Sequence, residues 1–385
     1  MVRNAPVYGE TILSEIELVA FRNLERLQLR LPAGITLLTG ANGQGKTNIL
    51  EAMATIGLTK SPRASSLREV MKWNSDFTRI RGVLDANERG NDVFTVEIDA
   101  REGVPKKRLL LNGENVSASE LIGRAPTVLF TPDHLSLVSG GPDERRRLLD
   151  IILTQISREG RNALLRYSRA LLQRNHLLRA MRDGTSDGRE LPVFTEEVVS
   201  TALDVLTLRK HVTEKLSDTF QEHLAAFTPD AEGTDLQYTP CGREHGIDIS
   251  RETLLSELHS RLSRDIATGS TSFGPHRDDL LFSIRCHPAR GVASQGQRRS
   301  IVLALLLSSV DLLRTSTGTA PLLLLDDVLS ELDADRQERF LARLRAPVTS
   351  QVIITATDAS EDLVELAQPN QHWIVTAGTV FKQDD

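Results

Sequence analysis

The chain has 385 residues, 40% of them hydrophobic, with 46 Lys and Arg against 52 Asp and Glu and a formal net charge of −6 at pH 7. That length supports two or three domains, and the acidic balance excludes a protein that simply coats nucleic acid. Two distant cysteines, Cys241 and Cys286, exclude a disulfide scaffold or a Cys-based zinc site and fit a reducing cytoplasm; no apolar run reaches membrane-spanning length, and the first ten residues lack the apolar core of a signal peptide.

The residues before Ile12 read as an extension. After them "EIELVAFRNLERLQLRL" predicts two short strands, and "GITLLTG" predicts a buried strand ending in glycine. The next nine residues, GANGQGKTN from Gly40 to Asn48, fit G-x-x-x-x-G-K-[ST] and open the helical spacing of "NILEAMATIGLT". In this setting Gly40, Ala41, Asn42, Gly43, Gln44 and Gly45 form a phosphate cradle, in which glycines let backbone N–H groups close around phosphate oxygens. The helix start adds partial positive charge, Lys46 reaches the terminal phosphates, and the Thr47 hydroxyl ligates Mg²⁺, with Asn48 completing the stretch. ATP or GTP is the expected ligand.

From Ile80 to Asn112 apolar residues alternate between Asn/Gly turns, predicting an antiparallel β insert. The pattern then becomes helical, with Leu148, Ile152, Gln155 and Ile156 on one face and "DGTSDGRELP" dividing an outgoing from a returning helix. Charge is uneven here: Glu144 to Arg182 holds ten Arg against three acids, whereas Pro321 to Asp385 holds five basic and twelve acidic residues. Arg166, Arg169, Arg174 and Arg179 do not share one helical stripe, so they read either as a surface for DNA phosphates or as solvated groups on an exposed hairpin. After a loop-rich patch from Pro240 to Asp248, one further helix (Arg251 to Ile266) returns the chain. The expected division is 1–140 as a first ATPase lobe, 141–268 as a helical arm and 269–385 as a second lobe.

At "ASQGQRRS" a strongly polar helix start, Ser294 to Arg299, precedes an apolar helix. Ser294 caps that helix in one reading; in the other, a second donor-rich helix start, beyond the one already serving the cradle, takes the nucleotide of another molecule. About 30 residues on, "APLLLLDDVLSELD" predicts a buried strand projecting two carboxylates from its end, Asp326 for the metal and Asp327 to orient or deprotonate an attacking water.

This order of phosphate loop, long insertion, "SQGQ", "DDVLSELD" and "VIITATD" resembles the ABC ATPases of the SMC class, and with "FRNL", "LLQRNHLLRAM" and "GPHRDD" the chain is similar to the RecF family from about Ile12 onward. The resemblance implies an α/β ABC-type ATPase head with an inserted helical arm, and ATP with Mg²⁺ as cofactors. It implies that Ser294, Gly296 and Gln297 are read across a homodimer, that Ser330 to Asp333 form a D-loop, and that Thr357 and Asp358 follow the last core strand as a switch. It further implies weak ATP hydrolysis that times the dimer, binding to gapped DNA, and work with RecR and RecO to load RecA. His276 and Arg277 of "GPHRDD" read as phosphate sensors or as a structural turn, and Asp133 falls in the Q-loop region. Pro62 departs from the family, standing where a Ser-His-Arg run would carry histidine. Competing readings are a generic SMC-like DNA tether, for which Glu144 to Ile266 is too short a coiled coil, and a monomeric P-loop kinase, which leaves "SQGQ" unexplained.

Overall fold

The computed structural model describes residues 11–85, 90–227, 233–242, 249–345, 351–358 and 360–383. The N-terminal extension and most of the Pro240 to Asp248 patch lie outside them. The chain divides into two compact units, one made of Met1–His134 with Leu303–Asp385 and the other of Leu135–Val302.

The strands in chain order begin with β1 (Ile12–Phe21), β2 (Leu24–Arg30), β3 (Gly34–Thr39) and β4 (Phe77–Asp85). Then come β5 (Asn91–Asp99), β6 (Lys106–Leu111), β7 (Glu114–Asn115) and β8 (Thr127–Phe130). The second unit contributes β9 (Thr234–Thr239), β10 (Asp279–Ile284) and β11 (His287–Pro288), after which β12 (Leu322–Asp326), β13 (Gln351–Ala356), β14 (Gln371–Thr376) and β15 (Thr379–Lys382) complete the first.

The first unit holds two sheets. One is antiparallel in the order β2-β1-β4-β5-β6-β7, so the predicted insert is continuous with the two opening strands rather than separate from them. Its strands alternate buried and part-exposed residues because only one face is covered. The other sheet runs β15-β14-β3-β13-β12-β8 and is parallel from β14 to β8, with β15 an antiparallel edge. Here β12 and β13 are buried along their whole length, as near-continuous apolar runs demand.

Between the sheets lies the helix Lys46–Leu58, touching β1, β4 and β5 of one and β8, β12 and β13 of the other. With apolar surface on both sides, eleven of its thirteen residues are buried. Gly57 permits the approach, since a Cβ there would stand 2.0 Å from Thr127 Oγ1. The two sheets are also tied by Gln351, which accepts from Leu13 N–H (2.9 Å) and donates to the Leu13 and Pro32 carbonyls (both 3.0 Å). Because β3 and β12 are parallel with only β13 between them, their carboxyl ends share one edge of the sheet.

The second unit is built on the helices Pro142–Ile156, Arg158–Arg182 and Leu191–Phe227, with β11-β10-β9 as a small antiparallel sheet. The helix expected from Arg251 to Ile266 is two, Arg251–Ser260 and Leu262–Thr268, separated at Arg261, whose φ of −94° and ψ of 1° leave the helical range. The helix Gln295–Thr317 begins in this unit and ends in the first. By length and composition it is apolar enough to cross a membrane, which corrects the expectation that no segment is; 72% of its most apolar window is buried inside the protein, as a core helix requires.

Candidate nucleotide-binding site

The turn from β3 into the helix Lys46–Leu58 uses left-handed backbone at Gly40 (φ 147°), Gly43 (φ 80°) and Gly45 (φ 116°). At Gly40 a side chain is excluded twice, because a Cβ would also stand 2.2 Å from the Val375 carbonyl oxygen. The helix carries no acid in its first turn, leaving its positive end open to an anion. Lys46 is 6% exposed and donates to the carbonyls of Gly40 and Ala41, the second at 3.0 Å. Burial pulls its ammonium below the ordinary lysine value, while Asp327 and then Asp326 push it back up.

The crest of the loop is held from outside. Gln44 accepts Ala377 N–H on its side chain (2.5 Å) and Gly378 N–H on its carbonyl (3.0 Å), both from the β14–β15 turn. Asn48 donates to Asn23 of the "FRNL" segment at 2.8 Å, so its amide braces the loop. One turn on, the buried carboxylate of Glu51 receives Arg22 (2.7 Å), Arg63 (3.3 Å) and Ser61 Oγ (2.5 Å). The exchange at Pro62 therefore leaves both flanking residues on one carboxylate.

At the end of β12 the carboxylate of Asp326, 6% exposed, accepts on one oxygen from Thr47 Oγ1 (3.0 Å) and Thr355 Oγ1 (2.8 Å). Thr355 in turn accepts Asp327 N–H at 3.0 Å. Asp327 has φ 49°, a conformation that Asp tolerates better than most residues and that turns the chain sharply away from the strand. Thr47, Asp326, Thr355 and the Asp327 backbone thus form one chain of donors and acceptors beside the loop. Thr355 was missed from the sequence; the signal lay in the β12–β13 register, which pairs Asp326 with Thr355. Beyond, Ser330 Oγ donates to the Asp327 carbonyl (2.9 Å), and Asp333 caps the helix Ala334–Arg345 by accepting Arg336 N–H (2.9 Å). Thr357 and Asp358 are exposed after β13.

In the second unit Ser294 and Gln297 close a reciprocal cap at the start of the helix Gln295–Thr317. Ser294 Oγ accepts Gln297 N–H (3.2 Å) and Gln297 Oε1 accepts Ser294 N–H (2.9 Å). The hydroxyl spends only acceptor capacity on this cap, so its proton stays available to an anion. Ser294 is exposed and Gly296 partly so.

Residues 12–376 match the family model described as RecF/RecN/SMC N terminal domain. The chain is 34% identical over 375 residues to the "DNA replication and repair protein RecF" of Staphylococcus haemolyticus (strain JCSC1435), an alignment covering 96% of this chain and 100% of that one. It is 35% identical over 374 residues to the protein of the same name from Bacillus thuringiensis (strain Al Hakam), covering 96% and 98%. The chain belongs to the RecF family. Among solved structures, one described as RecF-ATP in the RecFOR pathway is 28% identical, with a TM-score of 0.87 over 100% of both chains. The Smc head bound to the C-winged helix domain of ScpA is 16% identical, with a TM-score of 0.54 over 98% of each, and shows the shared ABC-type ATPase fold alone.

In this RecF-family chain "GPHRDD" is mostly interior. Asp278, fully buried, accepts from Arg209 (2.7 Å), Tyr238 and Cys241 N–H (2.7 Å), and Asp279 accepts two bonds from Arg145 (2.6 and 2.9 Å). The Tyr167 hydroxyl donates to His276 Nδ1 (2.6 Å), and His276 Nε2 donates to the Thr271 carbonyl (2.8 Å), with burial lowering the imidazole pKa to about 4. The motif is a buried knot tying three helices to β9 and β10, while Arg277 is exposed. Arg174 also proves interior: it is 1% exposed and donates to Asp265 (3.0 Å), Thr271 (2.6 Å) and Thr195 (3.2 Å), which corrects its reading as a surface group. Asp133 lies exposed in the short turn Pro132–Leu135.

Proposed function

We propose that the chain is a cytoplasmic ATPase of DNA repair that dimerises on ATP and acts as a DNA-binding recombination mediator. The observation that carries this reading is the meeting of Thr47 and Asp326 beside a complete phosphate loop, in a chain that aligns with proteins named for DNA replication and repair along their whole length. The solved RecF-ATP relative supports ATP as the nucleotide.

The residues fit Mg²⁺. Thr47 and Asp326 offer hard oxygens 3.0 Å apart, and no cluster of three His, Cys, Asp or Glu stands ready for a metal among the described residues. A two-oxygen protein set suits an ion that keeps waters and takes substrate phosphate oxygens. Bound there, Mg²⁺ neutralises phosphate charge. Thr47 and Asp326 hold it, Thr355 fixes the orientation of Asp326, Lys46 pairs with the terminal phosphates and Asp327 orients the attacking water.

The capped Ser294, with Gly296 and Gln297, closes on a nucleotide held by a second copy. Nucleotide binding and dimerisation are then one linked equilibrium, and slow hydrolysis removes the contact that holds the dimer. The dimer binds gapped DNA mainly through phosphates and works with RecR and RecO to promote RecA loading. Multi-angle light scattering tests this. The wild type becomes dimeric with Mg-ATP, Asp327→Asn stays dimeric for longer, and Ser294→Arg stays monomeric while still binding ATP; a wild type that remains monomeric at high concentration with saturating ATP contradicts the reading.

A further inference from the structure

The helix Arg158–Arg182 buries one face in the second unit, with Ala163, Tyr167 and Ala170 in its apolar core. On its opposite face Asn162, Leu165, Arg169, Leu172, His176 and Arg179 follow at alternating spacings of three and four residues, and Arg158 extends the series by one step. All seven are exposed, Leu165 by 51% and Leu172 by 61%. The helix's only acid, Glu159, lies off this line. Arg166 is paired with Asp204, Arg182 with Asp183, and Arg174 is interior. Arg158, Arg169 and Arg179 have no carboxylate partner among the described residues.

Single exposed leucines are ordinary, but these two lie on one stripe seven residues apart, the heptad spacing of a two-helix seam, and bracket an unpaired arginine. Three candidate occupants differ in fit. Duplex DNA presents a charge about every 1.7 Å of its axis, whereas these arginines are about 15 Å apart along the helix and would bring leucines against phosphates. A second copy of the stripe would set Arg169 against Arg169 in a parallel pairing and close to it in an antiparallel one. An acidic helix satisfies both the leucines and the arginines.

We propose that this stripe docks an acidic amphipathic helix of a partner protein, with leucines at every seventh position seated beside Leu165 and Leu172 and carboxylates facing Arg158, Arg169 and Arg179. The surface does not depend on the nucleotide reading and stands whether or not the chain dimerises on ATP. Fluorescence anisotropy with the full chain tests it, using as probes a labelled 21-residue helical peptide with Leu at one heptad seam position and Glu at the other, its Lys counterpart, and a labelled 30-base-pair duplex. The Glu peptide binds at least tenfold more tightly than the Lys peptide. Arg169→Glu reverses that preference, and the double variant Leu165→Asp/Leu172→Asp loses the Glu peptide while keeping the wild-type circular dichroism spectrum and ATP affinity. The proposal is overturned if the two peptides bind alike, if Glu-peptide binding survives Arg169→Glu, or if the stripe arginines govern duplex affinity while the peptide is ignored.

Discussion

Replacing Thr355 by valine keeps the shape of a fully buried side chain and removes one oxygen that does two tasks. It takes a donor from the Asp326 carboxylate, a bond to a charged group worth about 1.5–3 kcal/mol, and leaves the Asp327 N–H without its acceptor, a further cost of about 1–3 kcal/mol. The added methyl returns about 0.8 kcal/mol of apolar burial. The net expectation is a loss of about 2–5 kcal/mol in urea unfolding without nucleotide, with Thr355→Ser close to wild type. Thr47 remains on the same Asp326 oxygen, so the carboxylate keeps its place but loses its fixed direction. Calorimetric titration should then show Mg-ATP affinity falling about tenfold, the low end for loss of a group that orients a metal ligand, with little change for ATP in EDTA. Unchanged stability together with unchanged Mg²⁺ dependence would refute the orienting role of Thr355.

Other outcomes follow from the interior of the second unit. Arg174→Ala strands the buried Asp265 carboxylate and should cost about 3–5 kcal/mol by denaturant unfolding, with Asp265→Asn recovering part of the loss in the double variant. His276 has a folded pKa of about 4 against an ordinary 6.5, so the unfolded chain takes up a proton first as pH falls. Its contribution is therefore complete above pH 6.5 and declines between 6.5 and 4, by up to about 3 kcal/mol, and His276→Gln should flatten the unfolding profile over that window.

Much of the first unit was legible because its signals are local. The strand, phosphate loop and helix follow one another directly from Gly34 to Leu58, and the leucine run of β12 can only be a covered strand. What stayed hidden depends on long-range pairing. Thr355 looks like any threonine in a buried strand until the register sets it beside Asp326, and the continuity of β1 and β2 with the later meander is a matter of sheet order. Arg174 carries no mark distinguishing it from Arg169, five residues earlier; only the positions of Asp265 and Thr271, some 90 residues later, make it interior. The acid-free stripe escaped for the same reason, since choosing its arginines requires knowing which ones already have partners. At the polar start of the helix Gln295–Thr317 Ser294 caps, as one of its sequence readings has it, and a capping serine retains a proton to donate.

Complementation between two inactive variants tests the shared pocket most directly. Ser294→Arg keeps an intact phosphate loop and Lys46→Ala an intact helix start, so each alone should lack steady-state ATP hydrolysis. A mixed dimer would contain one whole pocket, built from the loop of the first and the serine of the second. Mixing the two proteins is expected to restore hydrolysis in proportion to the mixed species. A Ser294→Arg protein with full activity by itself, or a mixture as inactive as its components despite forming dimers, would contradict the account.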